Sequence, residues 1–315
     1  MITLREIEGA ATRIAGRVHR TPLLGSRSLG EQTGTRLFLK AECLQRTGSF
    51  KVRGALNKVD ELDAGARARG LIGVSAGNHA QALAYAARAA GAQCTVVMPA
   101  NASQTKAAAT EEYGGNVVLH GNVAQAFELM ESLRAQHGYT LVHPFEDAAI
   151  MAGQGTVGLE IMQDLPDVDV IIVPVGGGGL ISGVAAAAKA SKPQVRIIGV
   201  EPVGAAAVSV ALGAGRVQRL ERVETIADGL GAPMTGDLVL EHVRAFVDDV
   251  VTVSDAAIAS ALRTILLRTK LLVEPAGAAG FAALASGAVD CAGRTVAIVL
   301  SGGNVDAVRL REMLG

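Results

Sequence analysis

The 315-residue chain is half apolar but only 3% aromatic and has no tryptophan, so its core must be packed from Ala, Val, Leu, Ile and Gly, the usual filling of layered α/β proteins. Its formal net charge is −1, with basic and acidic side chains scattered along the sequence, which leaves no basic stripe for a phosphate backbone and excludes a nucleic-acid partner. Cys43, Cys94 and Cys291 stand far apart without Cys-x-x-Cys or Cys/His pairing, which argues against a disulfide frame or zinc site and suits reduced thiols in a cytoplasmic protein.

The opening MITLREIEGAATRIAGRVHR is charged and helix-periodic, with no apolar core of a secretion signal. In RTGSFKVRGA, from Arg46 to Ala55, a helix is expected to begin at Ser49 and to carry Lys51 in its first turn. Positive charge is unwelcome there, because unpaired amide N–H groups already leave that end partly positive. Arg53 nearby, and burial against Phe50, would also oppose protonation of Lys51. An amine that gives up its proton easily is what imine formation with an aldehyde requires; the rival reading is a solvated surface lysine.

From Leu71 the pattern repeats. LIGVS, CTVVMP, NVVLH and TLVHPF read as short buried strands. Helices are expected over GNHAQALAYAARAAG, closed by Gly91, over Ser103 to Tyr113, and over VAQAFELMESLRAQHG. A second array runs DVIIVPV, GGGGLISGVAAAAKA and VRIIGVEP, then a strand near DDVVTV, helices from Ser254 to Ala285, and the strand TVAIVLSGGN. The boundary falls near HPFEDAAIMAGQG. The uncharged run from Val170 to Ala188 has the length of a membrane span, but Pro174 and four consecutive glycines favour a strand, loop and helix, so no membrane partner is expected. Two such arrays predict an α/β fold with two open, mostly parallel twisted sheets, helices on both faces and a ligand cleft between them.

Three loops at strand ends could carry chemistry. Gly176 to Gly179 join a strand to a helix, where bare backbone N–H groups can close around a phosphate; the alternative is a tight structural turn. A dinucleotide site with Glu201 on a ribose fits less well, since Ile181 takes the place of the last glycine of G-x-G-x-x-G. In SAGNHAQ, Ser75 can cap the following helix and leave the N–H groups of Gly77, Asn78 and His79 for a carboxylate. The bland reading is a capped helix with a satisfied, partly buried His79. Ser301, at the end of the last strand, can bond a ring nitrogen or cap the terminal helix, and the sequence leaves these even. A suppressed amine, a phosphate cradle and a carboxylate nest together describe an aldehyde cofactor and an amino-acid substrate.

HRTPLL, KAECLQRTGSFKVRGA, SAGNHAQALA, AGQGTVGLEI, PVGGGGLISG, IADG, KLLVEPAGA and SGGN occur in an order that strongly resembles the fold-type II pyridoxal-phosphate enzymes, specifically the threonine dehydratase/serine racemase family. The resemblance spans nearly the whole chain. It implies the tryptophan synthase β-like fold, a large cofactor-binding domain of residues 1–69 and 147–315, a small domain of residues 70–146, and an active site between them. It also implies that Lys51 condenses with the cofactor aldehyde beside Phe50. Gly176, Gly177, Gly178, Gly179 and Leu180 would hold the phosphate, Asn78 the phenolic oxygen and Ser301 the pyridine nitrogen, with Gly229 and Glu274 lining the pocket. Ser75, Gly77, Asn78 and His79 would hold the substrate carboxylate.

The implied reaction is β-elimination from a hydroxy amino acid such as threonine or serine, with Lys51 taking the Cα proton and a 2-oxo acid and ammonia as products. Racemases of the family place a serine where this chain has Ala76, so dehydration is expected to lead over racemisation. HPFED also resembles the dehydratase form of that segment. Other hydroxy amino acids, among them 3-hydroxyaspartate, phenylserine and hydroxyectoine-derived compounds, remain open as substrates, and a binding protein without turnover is the third reading. Glu201 and Ala205 match two positions of the family's cation site, but Ala207 replaces its second acid, so a divalent metal is not expected and a monovalent cation stays open. The resemblance implies a homodimer. No regulatory domain is expected after SGGN.

Overall fold

The computed structural model describes residues 1–314. Ten strands form two sheets: β1 (Leu23–Gly25), β2 (Arg36–Lys40), β3 (Leu71–Val74), β4 (Cys94–Met98), β5 (Asn116–Leu119), β6 (Thr140–Leu141), β7 (Val170–Pro174), β8 (Arg196–Pro202), β9 (Asp249–Val253) and β10 (Thr295–Val299). The four-stranded sheet has the order β5-β4-β3-β6 and is parallel throughout. The six-stranded sheet runs β1-β2-β10-β7-β8-β9, and only the edge strand β1 is antiparallel to its neighbour.

Two short N-terminal strands, which have little periodicity of their own, thus complete the second array by pairing β2 with β10. TLVHPF contributes only Thr140–Leu141 to the first sheet. Its remainder is pulled away because His143 Nδ1 accepts the N–H groups of Phe145 and Glu146, folding the chain into a turn over the cleft. Among the described residues, no helix is long and apolar enough to cross a membrane. The long uncharged run is β7, a glycine loop and the helix Gly179–Ser191.

Strand alternation sorts the large core into two layers. Ile172, Ile198 and Ile298 face one side of the six-stranded sheet, while Ile171, Val173, Ile197 and Val299 face the other. The helix Lys51–Glu61 lies against the helix Ala148–Asp164 at unusually close range. A Cβ on Gly153 would meet the Arg53 carbonyl at 2.7 Å, so the glycines of AGQGTVG bring the two backbones together. The same contact buries a cluster of opposite charges. Lys40 bonds Glu160 at 2.6 Å, and Arg53 bonds Glu42 at 2.8 Å and Glu160 at 2.7 Å. Two cations and two anions balance there, which is the condition under which buried charge is tolerated. This cluster ties the front of the chain to the helix that begins with Lys51.

Candidate active site

Lys51 is the first residue of its helix, two residues later than the sequence suggested. Arg46–Gly48 close a short 3-10 turn with Thr47 at φ 60°, and Ser49 is extended, pairing with Gly302. Ser49 therefore lies outside the helix. Its hydroxyl is buried without a hydrogen-bond partner among the described residues. The Phe50 N–H instead donates to the Ser301 carbonyl at 3.1 Å, which holds the start of the helix against the end of β10.

The Lys51 amine donates to the Pro144 carbonyl at 2.8 Å and lies 5.1 Å from the centre of the Phe50 ring. Burial lowers its pKa to about 8, and the Glu274 carboxylate pulls weakly the other way. Arg53 does not contribute as expected. One helical step turns it into the buried charge cluster, where Glu42 and Glu160 hold it fully protonated and away from Lys51.

Two strand-to-helix turns point unpaired backbone amides into the same space. After β7, the N–H groups of Gly176 to Leu180 take no partner among the described residues. Gly178 has φ +94°, and a Cβ there would strike Val239. A Cβ on Gly177 would strike the Phe145 ring, which covers the loop and packs edge-on to His143 at 4.6 Å. Tight turn and anion cradle are therefore one feature: glycine is needed for space, and its consequence is a ring of bare N–H donors at a helix start.

After β3 the arrangement differs from expectation. Gly77, not Ser75, occupies the cap position of the helix Asn78–Ala89. Ser75 Oγ accepts the Gly77 N–H at 3.2 Å, so that amide is taken, while those of Asn78 and His79 stay unpaired. The His79 ring is buried and bonded through Nε2 to the Val142 carbonyl at 2.9 Å. Burial drives its pKa down to about 3, so the ring is neutral, and it must carry its one proton on Nε2 to donate to that carbonyl. The satisfied-histidine reading holds for the side chain, which leaves the backbone N–H for a ligand.

Glu274 is buried at the start of the helix Pro275–Ala285. Asn78 Nδ2 donates to it at 2.6 Å, and Asn304 Nδ2 donates to Asn78 Oδ1 at 2.8 Å, so the amide orientation of Asn78 is set from both ends. Burial raises the Glu274 pKa to about 7. Near neutral pH this carboxyl can therefore hold or release a proton beside the cavity.

One cavity of about 310 Å³ is lined by all the residues expected to meet cofactor or substrate: Phe50, Lys51, Ser75, Gly77, Asn78, His79, Gly176 to Leu180, Gly229, Glu274 and Ser301. Ala76 lines it as well. Ser75 to His79, Gly176 to Leu180 and Ser301 arrive from the C-terminal ends of β3, β7 and β10, the positions at which open parallel sheets present loops to ligands, and Phe50, Lys51, Gly229 and Glu274 come in from turns and helix starts. Sequence reasoning missed the Pro144 carbonyl, Phe145, Asn304 and a Lys106–Asp228 pair. HPFED and SGGN marked the neighbourhood of the first three, whereas Lys106 carries no local signal. Glu201 lies elsewhere. Its carboxylate accepts the N–H groups of Val208 and Ser209 and the Ser209 hydroxyl, so it caps a helix. Among the described residues, no three His, Cys, Asp or Glu side chains gather as a metal cage.

The family model described as pyridoxal-phosphate dependent enzyme matches residues 14–302. An L-threonine ammonia-lyase of Thermotoga maritima is 46% identical over 97% of this chain and 76% of its own length. Among solved structures, maize serine racemase has a TM-score of 0.94 at 40% identity, covering 98% of this chain and 96% of its own. The threonine deaminase of T.th. has a TM-score of 0.91 at 43% identity, covering 97% of this chain and 99% of its own. A half-buried lysine and a glycine cradle in one cavity are what such a cofactor needs, and the chain belongs to the family of pyridoxal-phosphate-dependent enzymes.

Proposed function

We propose that this protein is an ammonia-lyase that removes water and then ammonia from a β-hydroxy amino acid of the threonine or serine type. The observation that carries the reading is the Lys51 amine, held by burial near pKa 8 in a cavity with two sets of unpaired backbone amides. The N–H groups of Gly176 to Leu180 would hold the phosphate of pyridoxal phosphate, with Asn78 at its phenolic oxygen and Ser301 at its ring nitrogen. When bound, the cofactor supplies an electron sink for negative charge at the substrate Cα.

Lys51 acts as the base that takes the Cα proton, which its lowered pKa permits near neutral pH. The unpaired N–H groups of Asn78 and His79, with the Ser75 hydroxyl close by, orient the substrate carboxylate. Phe50 and Phe145 shield the amine and the glycine loop from water. The Cβ–O bond breaks as the hydroxyl takes up a proton, which balances the one Lys51 removed from Cα, and leaves as water; the released enamine tautomerises and is hydrolysed by water to a 2-oxo acid and ammonia. The resemblance to an L-threonine ammonia-lyase and a threonine deaminase supports this direction.

Racemisation is the second reading, favoured by the likeness to maize serine racemase. It needs an acid that delivers a proton to the opposite face of Cα, and Ala76 has none to give. Part of the same proposal are the division into residues 1–69 with 147–315 and 70–146, a homodimer, and a cytoplasmic setting, the last supported by three unpaired thiols. A monovalent cation remains compatible. The test is release of ammonia and 2-oxo acid across a panel of β-hydroxy amino acids. Turnover of threonine or serine that vanishes in Lys51→Ala supports the proposal; unchanged turnover in that variant refutes it.

A further inference from the structure

Two charged side chains in the cavity play no part in the chemistry above. Lys106, on the helix Gln104–Glu112, and Asp228, in the 3-10 turn Asp228–Leu230, meet across the cleft with Nζ 2.6 Å from Oδ2. Lys106 is buried, whereas Asp228 is partly exposed and has Arg309 at 3.5 Å. The other ionisable groups facing this space are Lys51, Glu274 and His79. Burial holds the His79 ring neutral and shifts Glu274 toward its protonated form, while Lys51, bonded to the Pro144 carbonyl, is the amine committed to the cofactor in the reading above. The remaining side chains that reach in from the small-sheet side include Pro99, Val123 and Phe127, which are apolar. With Lys51 committed to the cofactor, Lys106 is the one lysine left facing the cavity among the described residues, and Asp228 occupies it.

We propose that Asp228 is a specificity-determining residue: by pairing with Lys106 it leaves the cavity no cation for a second carboxylate and restricts the substrate to an uncharged side chain. This rests on the amino-acid lyase reading and narrows it. A ligand with a β-carboxylate would have to displace Asp228 from Lys106 or lie beside it as a like charge, and both are unfavourable in a partly desolvated cleft. Replacing Asp228 with a neutral residue frees the ammonium and removes the repulsion. The gain for a β-carboxylate is that of a charge-assisted hydrogen bond, about 10-fold or more in affinity.

The test compares L-aspartate with L-2-aminobutyrate, neither of which carries a β-hydroxyl, so neither loses water. Their dissociation constants are measured by calorimetry on the cofactor-loaded protein. The wild type is expected to bind 2-aminobutyrate at least about 10-fold more tightly. Asp228→Asn should shift that ratio toward aspartate by about 10-fold, with Asp228→Ser as a second variant, and Lys106→Met/Asp228→Asn should return it. Removing Asp228 also favours the ionised form of Glu274, which repels a β-carboxylate and therefore works against the expected shift and cannot produce it. A ratio unmoved in the folded single variants overturns the inference alone. A wild type that binds neither ligand overturns the lyase reading as well.

Discussion

Lys51 should make the cofactor-free protein more stable as pH rises, opposite to the behaviour of a paired surface lysine. Its pKa falls from an ordinary 10.5 to about 8, and burial is the main cause. At about 1.4 kcal/mol per pH unit, the interval between those values is worth about 3 kcal/mol. Below about 8 both folded and unfolded chains hold the proton, and the fold carries the full cost of a buried ammonium. Between the two values only the unfolded chain holds it, so unfolding becomes harder with rising pH. About 2 kcal/mol should be regained between pH 7 and pH 9.5.

Cys43 and Cys94 oppose this above pH 9, because burial raises both thiols to about 12 and their unfolded forms ionise first. The measurement is therefore a difference: urea midpoints of the wild type and Lys51→Met over that range. The wild type should gain stability relative to the variant as pH rises. Parallel curves would show that the amine titrates as an ordinary solvated lysine, and the argument for its reactivity would fail. A kinetic readout is independent of this. At pH 7.5 about a quarter of an amine of pKa 8 is neutral, against about one in a thousand at 10.5, so amine-directed reagents should select Lys51.

Arg53→Met should destabilise the protein by about 3–5 kcal/mol, because it leaves Glu42 charged and buried, and a denaturation series with Arg53→Met/Glu42→Gln should recover much of the loss. A single variant within about 1 kcal/mol of wild type would contradict that. Gly177→Ala drives a methyl into the Phe145 ring and should weaken pyridoxal phosphate retention by about 10-fold, read from equilibrium dialysis; an unchanged constant would mean the loop does not close on the phosphate. Ala76→Ser should raise D-serine formation from L-serine by chiral chromatography, and no increase would show that a missing hydroxyl is not what limits racemisation.

The larger part of the layout was readable from local pattern. Runs such as VIIVP and TVAIV alternate between the two faces of a sheet, and the glycine and small-residue turns that follow them mark where loops reach the cleft. β1 and β2 were invisible by that route, since three and five residues gain their identity only by pairing with β10. The helix was expected to begin at Ser49, yet the backbone there is held extended by Gly302, a residue more than 250 positions away.

Residue types and their order determined the chemistry on offer: an amine after Phe50, glycine loops after strands, and a hydroxyl at the end of the last strand. Tertiary structure decided which of these side chains are charged and which are already engaged. Arg53 turns away from Lys51 because a buried guanidinium needs carboxylates, and Glu42 from the preceding turn and Glu160 from a distant helix supply them. Lys106 finds Asp228 across a cleft that no local pattern describes. Ionisation depends on solvent exclusion and on neighbours brought together by folding, and neither is written in the residues beside a group.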